Sequence, residues 1–378
     1  MRIDRLLSTA RRRGIALAAL CLGAVAVAPA ALAASGAFVG HLHKAHKIAS
    51  TVPASGDVNP YGVAVAPVST GRLVAGDVLV SNFNNRHNKQ GTGKTIVEVS
   101  PKGGHPRLFA SLNPRALPGG CPGGVGLTTA LVALRSGWVI VGSLPTTNGS
   151  SSTMRAGCLI VINPSGQAVE TISGAPINGP WDMTAMDRGS SATLFVTNVL
   201  NGTLKASPKT THGGTVVRIG LSIPPAGPPT VTSEIVIGNG LPERTDPSAL
   251  VVGPTGLGLG NGTLFVANSD ASAITGIGNA MTRTTATRGT RVTKGRAVND
   301  PLGLAIAPNG DILTTNGGNG NLVETTPSGR QVAVKALDKT PVPPGPPGNG
   351  TLFGLARAPG GRGVYFVNDG TNTLNLLH

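Results

Sequence analysis

Asn299-Asp300-Pro301-Leu302-Gly303-Leu304-Ala305-Ile306-Ala307-Pro308-Asn309-Gly310-Asp311-Ile312-Leu313-Thr314-Thr315-Asn316 continues to Gly320-Asn321-Leu322-Val323-Glu324-Thr325-Thr326-Pro327-Ser328-Gly329-Arg330-Gln331-Val332-Ala333-Val334. Turn residues cut this stretch into four short runs. Pro-Asn-Gly-Asp separates residues 304–307 from 311–315, and Pro-Ser-Gly separates 321–325 from 331–334. Runs of this length between such turns predict one antiparallel four-stranded sheet. A lone sheet leaves a face unburied, so the pattern is expected to recur.

It recurs six times. The leading motif appears as Asn59-Pro60-Tyr61-Gly62-Val63, Cys121-Pro122-Gly123-Gly124-Val125, Gly179-Pro180-Trp181-Asp182-Met183, Asp246-Pro247-Ser248-Ala249-Leu250, the stretch above, and Leu352-Phe353-Gly354-Leu355. The second run repeats too, ending each time on Asn82, Ser143, Asn198, Asn268, Asn316 or Asn368. Register marks at 60, 122, 180, 247, 301 and 352 give steps of 51 to 67 residues, a period that signals a propeller or solenoid. The expected fold is all-β: a six-bladed β-propeller of four-stranded antiparallel blades. The sixth unit runs out one strand short, so residues 46–51, which precede the first unit, are expected to close the ring as its outer strand.

At these repeats the chain resembles NHL-repeat proteins and gluconolactonase-like six-bladed propellers. The resemblance implies a ligand or metal site at the mouth of the central channel, since gluconolactonase-like relatives hold a divalent cation there with polar residues. Here the corresponding ring reads Tyr61, Gly123, Trp181, Ser248, Leu302 and Phe353, mostly apolar or small. Amidating-lyase relatives hold zinc with histidines from several blades. Only His87 and His212 fall on suitable loops here, while His105 belongs to a turn on the opposite face.

The first residues read differently. Arg2, Arg5, Arg11, Arg12 and Arg13 precede an apolar run, and Ala31-Leu32-Ala33 offers a small-residue cleavage site, so residues 1–33 are expected to be an export signal and 34–378 a single propeller domain. No other stretch has the length of a membrane span. The expected location is the periplasm or the extracellular space, and the closed ring makes a monomer the default.

Composition narrows the partners. The chain carries 31 Lys and Arg against 16 Asp and Glu, a formal net charge of +15, and a signal with five Arg and one Asp leaves about +11 for the remainder. An exported basic protein meets anionic wall polymer before nucleic acid. Arg283, Arg288, Arg291, Lys294 and Arg296 form the densest basic segment and suit an outer strand of the fourth unit. Cys121 and Cys158 are the cysteines beyond the signal; both lie in the second unit and are expected to pair.

For chemistry, Asp182 stands where several units place Gly, beside Trp181, and neither has a repeated structural duty. The candidate ligand contacts are therefore Tyr61, Trp181 and Asp182, with His87 and His212 on neighbouring loops. Asp182, Asp246 and Asp300 come from consecutive units and offer oxygen ligands for calcium, although Asp and Asn before Pro also cap turns. His41, His43 and His46 cluster near the start of the domain. There is no Gly-x-Ser-x-Gly elbow, Cys-x-x-Cys pair or phosphate-cradling loop. The expected function is a binding or scaffold module at the cell envelope, for a protein, glycan or small molecule, with no cofactor. The competing expectation is a metal-dependent lactonase-like hydrolase or lyase.

Overall fold

A computed structural model describes residues 36–378; the expected export signal, residues 1–33, lies outside the described residues. Six antiparallel sheets surround a central channel. The innermost strands are Val58–Val65, Leu127–Ala133, Pro180–Asp187, Pro254–Gly260, Pro301–Ile306 and Leu352–Arg357. The second strands, such as Val78–Asn84, Val139–Ser143 and Ser191–Asn198, are almost entirely buried, because both of their faces meet neighbouring blades. Among the described residues no helix is long and apolar enough to cross a membrane.

The ring closes as the repeat count requires. Ala45–Ser50 pairs with Thr373–Leu377, running from Ala45 opposite Leu377 to Ser50 opposite Thr373 with an irregularity between Lys47 and Ala49. The sixth blade therefore takes its outer strand from the beginning of the domain.

Two units begin later than the leading motif indicated. The fourth inner strand starts at Pro254, not Pro247. Asp246-Pro247-Ser248-Ala249 is instead a turn, in which Asp246 Oδ1 accepts the amides of Ser248 and Ala249 at 2.8 and 3.1 Å. That turn lets the long outer strand of blade 3, Thr230–Asp246, fold back on Leu250–Val252. Likewise Cys121-Pro122-Gly123 is a lead-in loop, and the second inner strand begins at Leu127, opposite Ser143. The axial ring is thus Tyr61, Thr128, Trp181, Thr255, Leu302 and Phe353, and Gly123 and Ser248 leave it. Asp-Pro resembles the leading motif because the same side-chain cap serves a turn in either setting.

Hydroxyls stitch most blades to the next at the axis. Ser81 Oγ donates to the Thr128 carbonyl at 2.8 Å, Thr128 Oγ1 to Pro180 at 2.9 Å and Thr197 Oγ1 to Thr255 at 3.0 Å. Thr255 Oγ1 then donates to Pro301 at 3.0 Å and Thr315 Oγ1 to Phe353 at 2.6 Å. Five of the six blade junctions carry such a bond. At the sixth, a Cβ on Gly354 would sit 2.1 Å from the Tyr61 carbonyl, so the backbones themselves meet there and glycine is required. This is the junction next to the blade closed by Ala45–Ser50.

The recurrent Asn residues have a repeated structural role. Asn82, Asn268 and Asn316 donate through Nδ2 to the carbonyls of Thr51, Pro242 and Ala297 at 3.0, 3.0 and 2.6 Å. Asn368 donates to Asp338 at 2.6 Å. Each ties the end of a second strand to the connection bringing the chain from an outer strand. Cys121 and Cys158 form a disulfide with 5.4 Å between Cα atoms, joining the second lead-in loop to the start of strand Cys158–Ile162.

Candidate functional site

Aromatic residues make up 3% of the chain, yet four of them gather on the axis. Tyr61 stacks between Phe353, at 4.2 Å, and Phe83, at 4.5 Å, and Trp181 meets Tyr61 and Phe83 edge-on at 6.0 and 5.6 Å. Tyr61 is 2% and Trp181 3% exposed, so the rings form a layer across the channel rather than a free platform.

The layer divides the channel. Above it, on the side of the lead-in loops, lies a cavity of about 720 Å³ lined by Tyr61, Trp181, Leu302 and Phe353. Below it lies one of about 450 Å³, lined by residues two positions further along the same strands, Val63, Met183, Leu304 and Leu355. Trp181 and Asp182, adjacent in sequence, consequently serve different compartments. Asp182 lines the lower cavity. Asp246 and Asp300 line the upper one, so the structure does not bring the three carboxylates of the expected calcium site together. Among the described residues no group of three or more His, Cys, Asp or Glu is placed to hold a metal ion.

The upper cavity is strongly asymmetric. The residue after the repeated Asn or Ser of each second strand is Phe83, Leu144 and Val199 in blades 1 to 3, but Ser269, Gly317 and Asp369 in blades 4 to 6. Blades 4 to 6 therefore furnish the polar wall: Ser269, Asp270, Asn299, Asp300 and Asp369. Asn59, Asn84 and Gln90 face it from blade 1. Four carboxylates, Asp246, Asp270, Asp300 and Asp369, share this mouth with one cation, Arg244, which binds Asp246 at 2.8 Å and Asp270 at 2.9 Å. Among the described residues, Asp300 and Asp369 have no cationic partner in contact.

Burial decides their protonation. Desolvation raises the Asp300 pKa to about 6 and that of Asp369 to about 7. Tyr61, a member of the aromatic layer, is pushed well above the usual phenol range, first by desolvation and then by the charge of Asp369. Asp300 Oδ1, Asn59 Oδ1, Asn84 Oδ1 and Gln90 Oε1 are buried oxygens without a hydrogen-bond partner. For Asn84 and Gln90 the amide nitrogen is already committed, to Asn88 and to the Ser248 carbonyl, which orients each oxygen away from those bonds.

The remaining sequence-derived candidates fall outside. His87 is exposed and accepts from Arg86 Nε at 3.2 Å, and His212 is exposed at the start of strand Thr211–Ser222; neither lines the upper cavity. His41, His43 and His46 likewise stay away from the channel, with His46 edge-on to His378 at 5.1 Å. Asp369 escaped the sequence reading although its signal was present: it follows the repeated Asn368 where three other units place an apolar residue. Phe83 was legible in the same way.

No protein-family model and no curated protein matches the chain. Solved structures do. A gluconolactonase from Xanthomonas campestris is similar with a TM-score of 0.51 at 12% identity, over 90% of this chain and 91% of that one. The PQQ-bound aldose sugar dehydrogenase of Streptomyces coelicolor gives 0.51 at 17%, over 88% and 97%. A luciferin-regenerating enzyme gives 0.51 at 9%, over 88% and 94%. At these identities the likeness is one of fold. The chain is a six-bladed β-propeller similar in architecture to gluconolactonase-like proteins.

Proposed function

We infer that the chain is an exported binding module whose upper channel mouth takes a small ligand rich in hydrogen-bond donors, with an amino sugar or the end of a glycan as the best chemical match. The observation that carries this reading is the acidic mouth: four carboxylates against one arginine, in a chain of net charge +15. Such a pocket favours cations and polyols and disfavours carboxylate or phosphate ligands. An anionic wall polymer therefore suits the basic outer strand Thr290–Lys294 and not the mouth. The Cys121–Cys158 bond supports an oxidising location, in the periplasm or outside the cell.

A second reading, catalysis, is favoured by one feature. Asp300 and Asp369 have pKa values of about 6 and 7, the range in which a carboxyl exchanges protons near neutrality. Propellers of similar fold include a gluconolactonase and an aldose sugar dehydrogenase, which fits a sugar-derived substrate. Calorimetric titration with glucosamine, glucose and glucuronate, with and without chelator, tests both. The binding reading expects glucosamine strongest and glucuronate undetectable. Chelator-sensitive turnover of a sugar lactone would replace it with the enzyme reading.

A further inference from the structure

The lower compartment is built on a different principle. Just below the aromatic layer its lining residues include Val63, Leu131, Met183, Leu257, Leu304 and Leu355, all but Val63 buried in the packing between blades, so the inner strands form a narrow sleeve. Into this sleeve the third blade introduces a carboxylate, Asp182. The corresponding positions of four other blades are Gly62, Gly256, Gly303 and Gly354. In those blades glycine is enforced by close approach, since a Cβ on Gly62, Gly256 or Gly303 would lie 2.4 to 2.9 Å from atoms of the next blade. Blade 3 carries Asp182 at this position although its junction makes the same hydroxyl bond, from Thr197 to the Thr255 carbonyl.

The Asp182 carboxylate has little to hold it. Oδ1 accepts the amide of Met183 at 2.6 Å, and Oδ2 has no partner among the described residues. The other charged groups lining the cavity are Asp187 and Arg357, towards its outer end. Asp187 lies five residues along the same strand, about 16 Å away at extended spacing, and is occupied by the amides of Arg135 and Gly189 at 2.6 and 2.8 Å. Arg357 is exposed, three residues beyond the glycine that matches Asp182, about 10 Å along its strand. A carboxylate withdrawn from bulk water without a cation is costly, and burial raises its pKa to about 7.

We propose that the lower half of the channel is a second binding site, separate from the upper mouth, for a small organic cation, with its ammonium group on Asp182 and the rest of the molecule within the sleeve. A volume of about 450 Å³ falls within the range of small-molecule sites. A bound cation supplies the counter-charge that the fold omits. Affinity is set by ionised Asp182, so it rises with pH through about 7 and then levels. Asp187 and Arg357, near the outer end, contribute opposite charges and little net field.

Hexyltrimethylammonium, hexanoate and 1-hexanol, each titrated into the folded domain at pH 8 and pH 5.5, provide the test. The expected result is saturable binding of the ammonium compound at pH 8, weaker by about tenfold or more at pH 5.5, where most of the carboxyl is protonated. Asp182→Asn should weaken it at least tenfold at pH 8, and Ala185→Leu, which narrows the sleeve while keeping the charge, should weaken it too. A ligand seated in the upper mouth would be indifferent to both substitutions. Unchanged affinity in Asp182→Asn, equal binding of hexanoate or hexanol, or absence of binding at pH 8 would overturn the proposal. If Asp182→Asn does not fold, the charge series and the pH series on the unaltered protein decide it.

Discussion

Val39 donates its amide to Glu324 Oε2 at 2.7 Å, and Phe38 donates to the other oxygen at 2.8 Å, across more than 280 residues of chain. Glu324 is fully buried on strand Asn321–Thr325 of the fifth blade. The lead into the closing strand Ala45–Ser50 is thus clamped to the blade next to the one it completes. Ring closure depends on this carboxylate as well as on the strand pairing.

Replacing Glu324 by Ala should leave two amides of the 3-10 turn Phe38–His41 without their acceptor and destabilise the domain by about 2 to 4 kcal/mol. Urea denaturation measures it. Removing residues 36–50 goes further, exposing the edge of Thr373–Leu377, and should abolish cooperative unfolding or cause aggregation.

Reducing the Cys121–Cys158 bond should cost about 3 to 4 kcal/mol by the chain-entropy estimate for a sequence separation of 37. Denaturation midpoints with and without reductant give the value. Because the bond fixes a loop of blade 2, ligand binding in the upper mouth should survive reduction in any protein that remains folded.

Stability should fall as pH rises from about 4 to 7 and level off above. Desolvation raises Asp182, Glu243 and Asp369 to about 7 and Asp300 to about 6, all above their unfolded values. A carboxyl with a raised folded pKa contributes stability that is present below its unfolded pKa and is lost as pH passes its folded pKa. The window is therefore about pH 4 to 7, and the slope is opposite to that of salt-bridged carboxylates. Asp182→Asn should raise the melting temperature at pH 8 and change it little at pH 5. Thermal melts across this range check both statements.

The architecture could be read from the chain because it is repeated: six copies of one period average out local ambiguity, and a missing strand in the last copy points directly to Ala45–Ser50. Register failed where a turn imitates a repeat. Asp246-Pro247 caps a turn through the same carboxyl chemistry that Asp300-Pro301 uses before a strand, and only the later Gly253-Pro254-Thr255-Gly256 shares the inner-strand glycine. The site was partly legible, since Trp181 and Asp182 break the repeat. What the sequence lacks is the position of the aromatic layer, formed when Phe83 reaches Tyr61 from a second strand. That layer separates two adjacent residues into two compartments.

The claim that the acidic upper mouth selects donor-rich ligands is tested most directly by calorimetric titration of glucosamine into the unaltered protein and into the Asp300→Asn/Asp369→Asn double variant, at pH 7.5. The account predicts binding to the unaltered protein and a loss of at least tenfold in the variant, with melting behaviour showing both to be folded. Equal affinity in the two proteins, or preference of the unaltered protein for glucuronate over glucosamine, would contradict it.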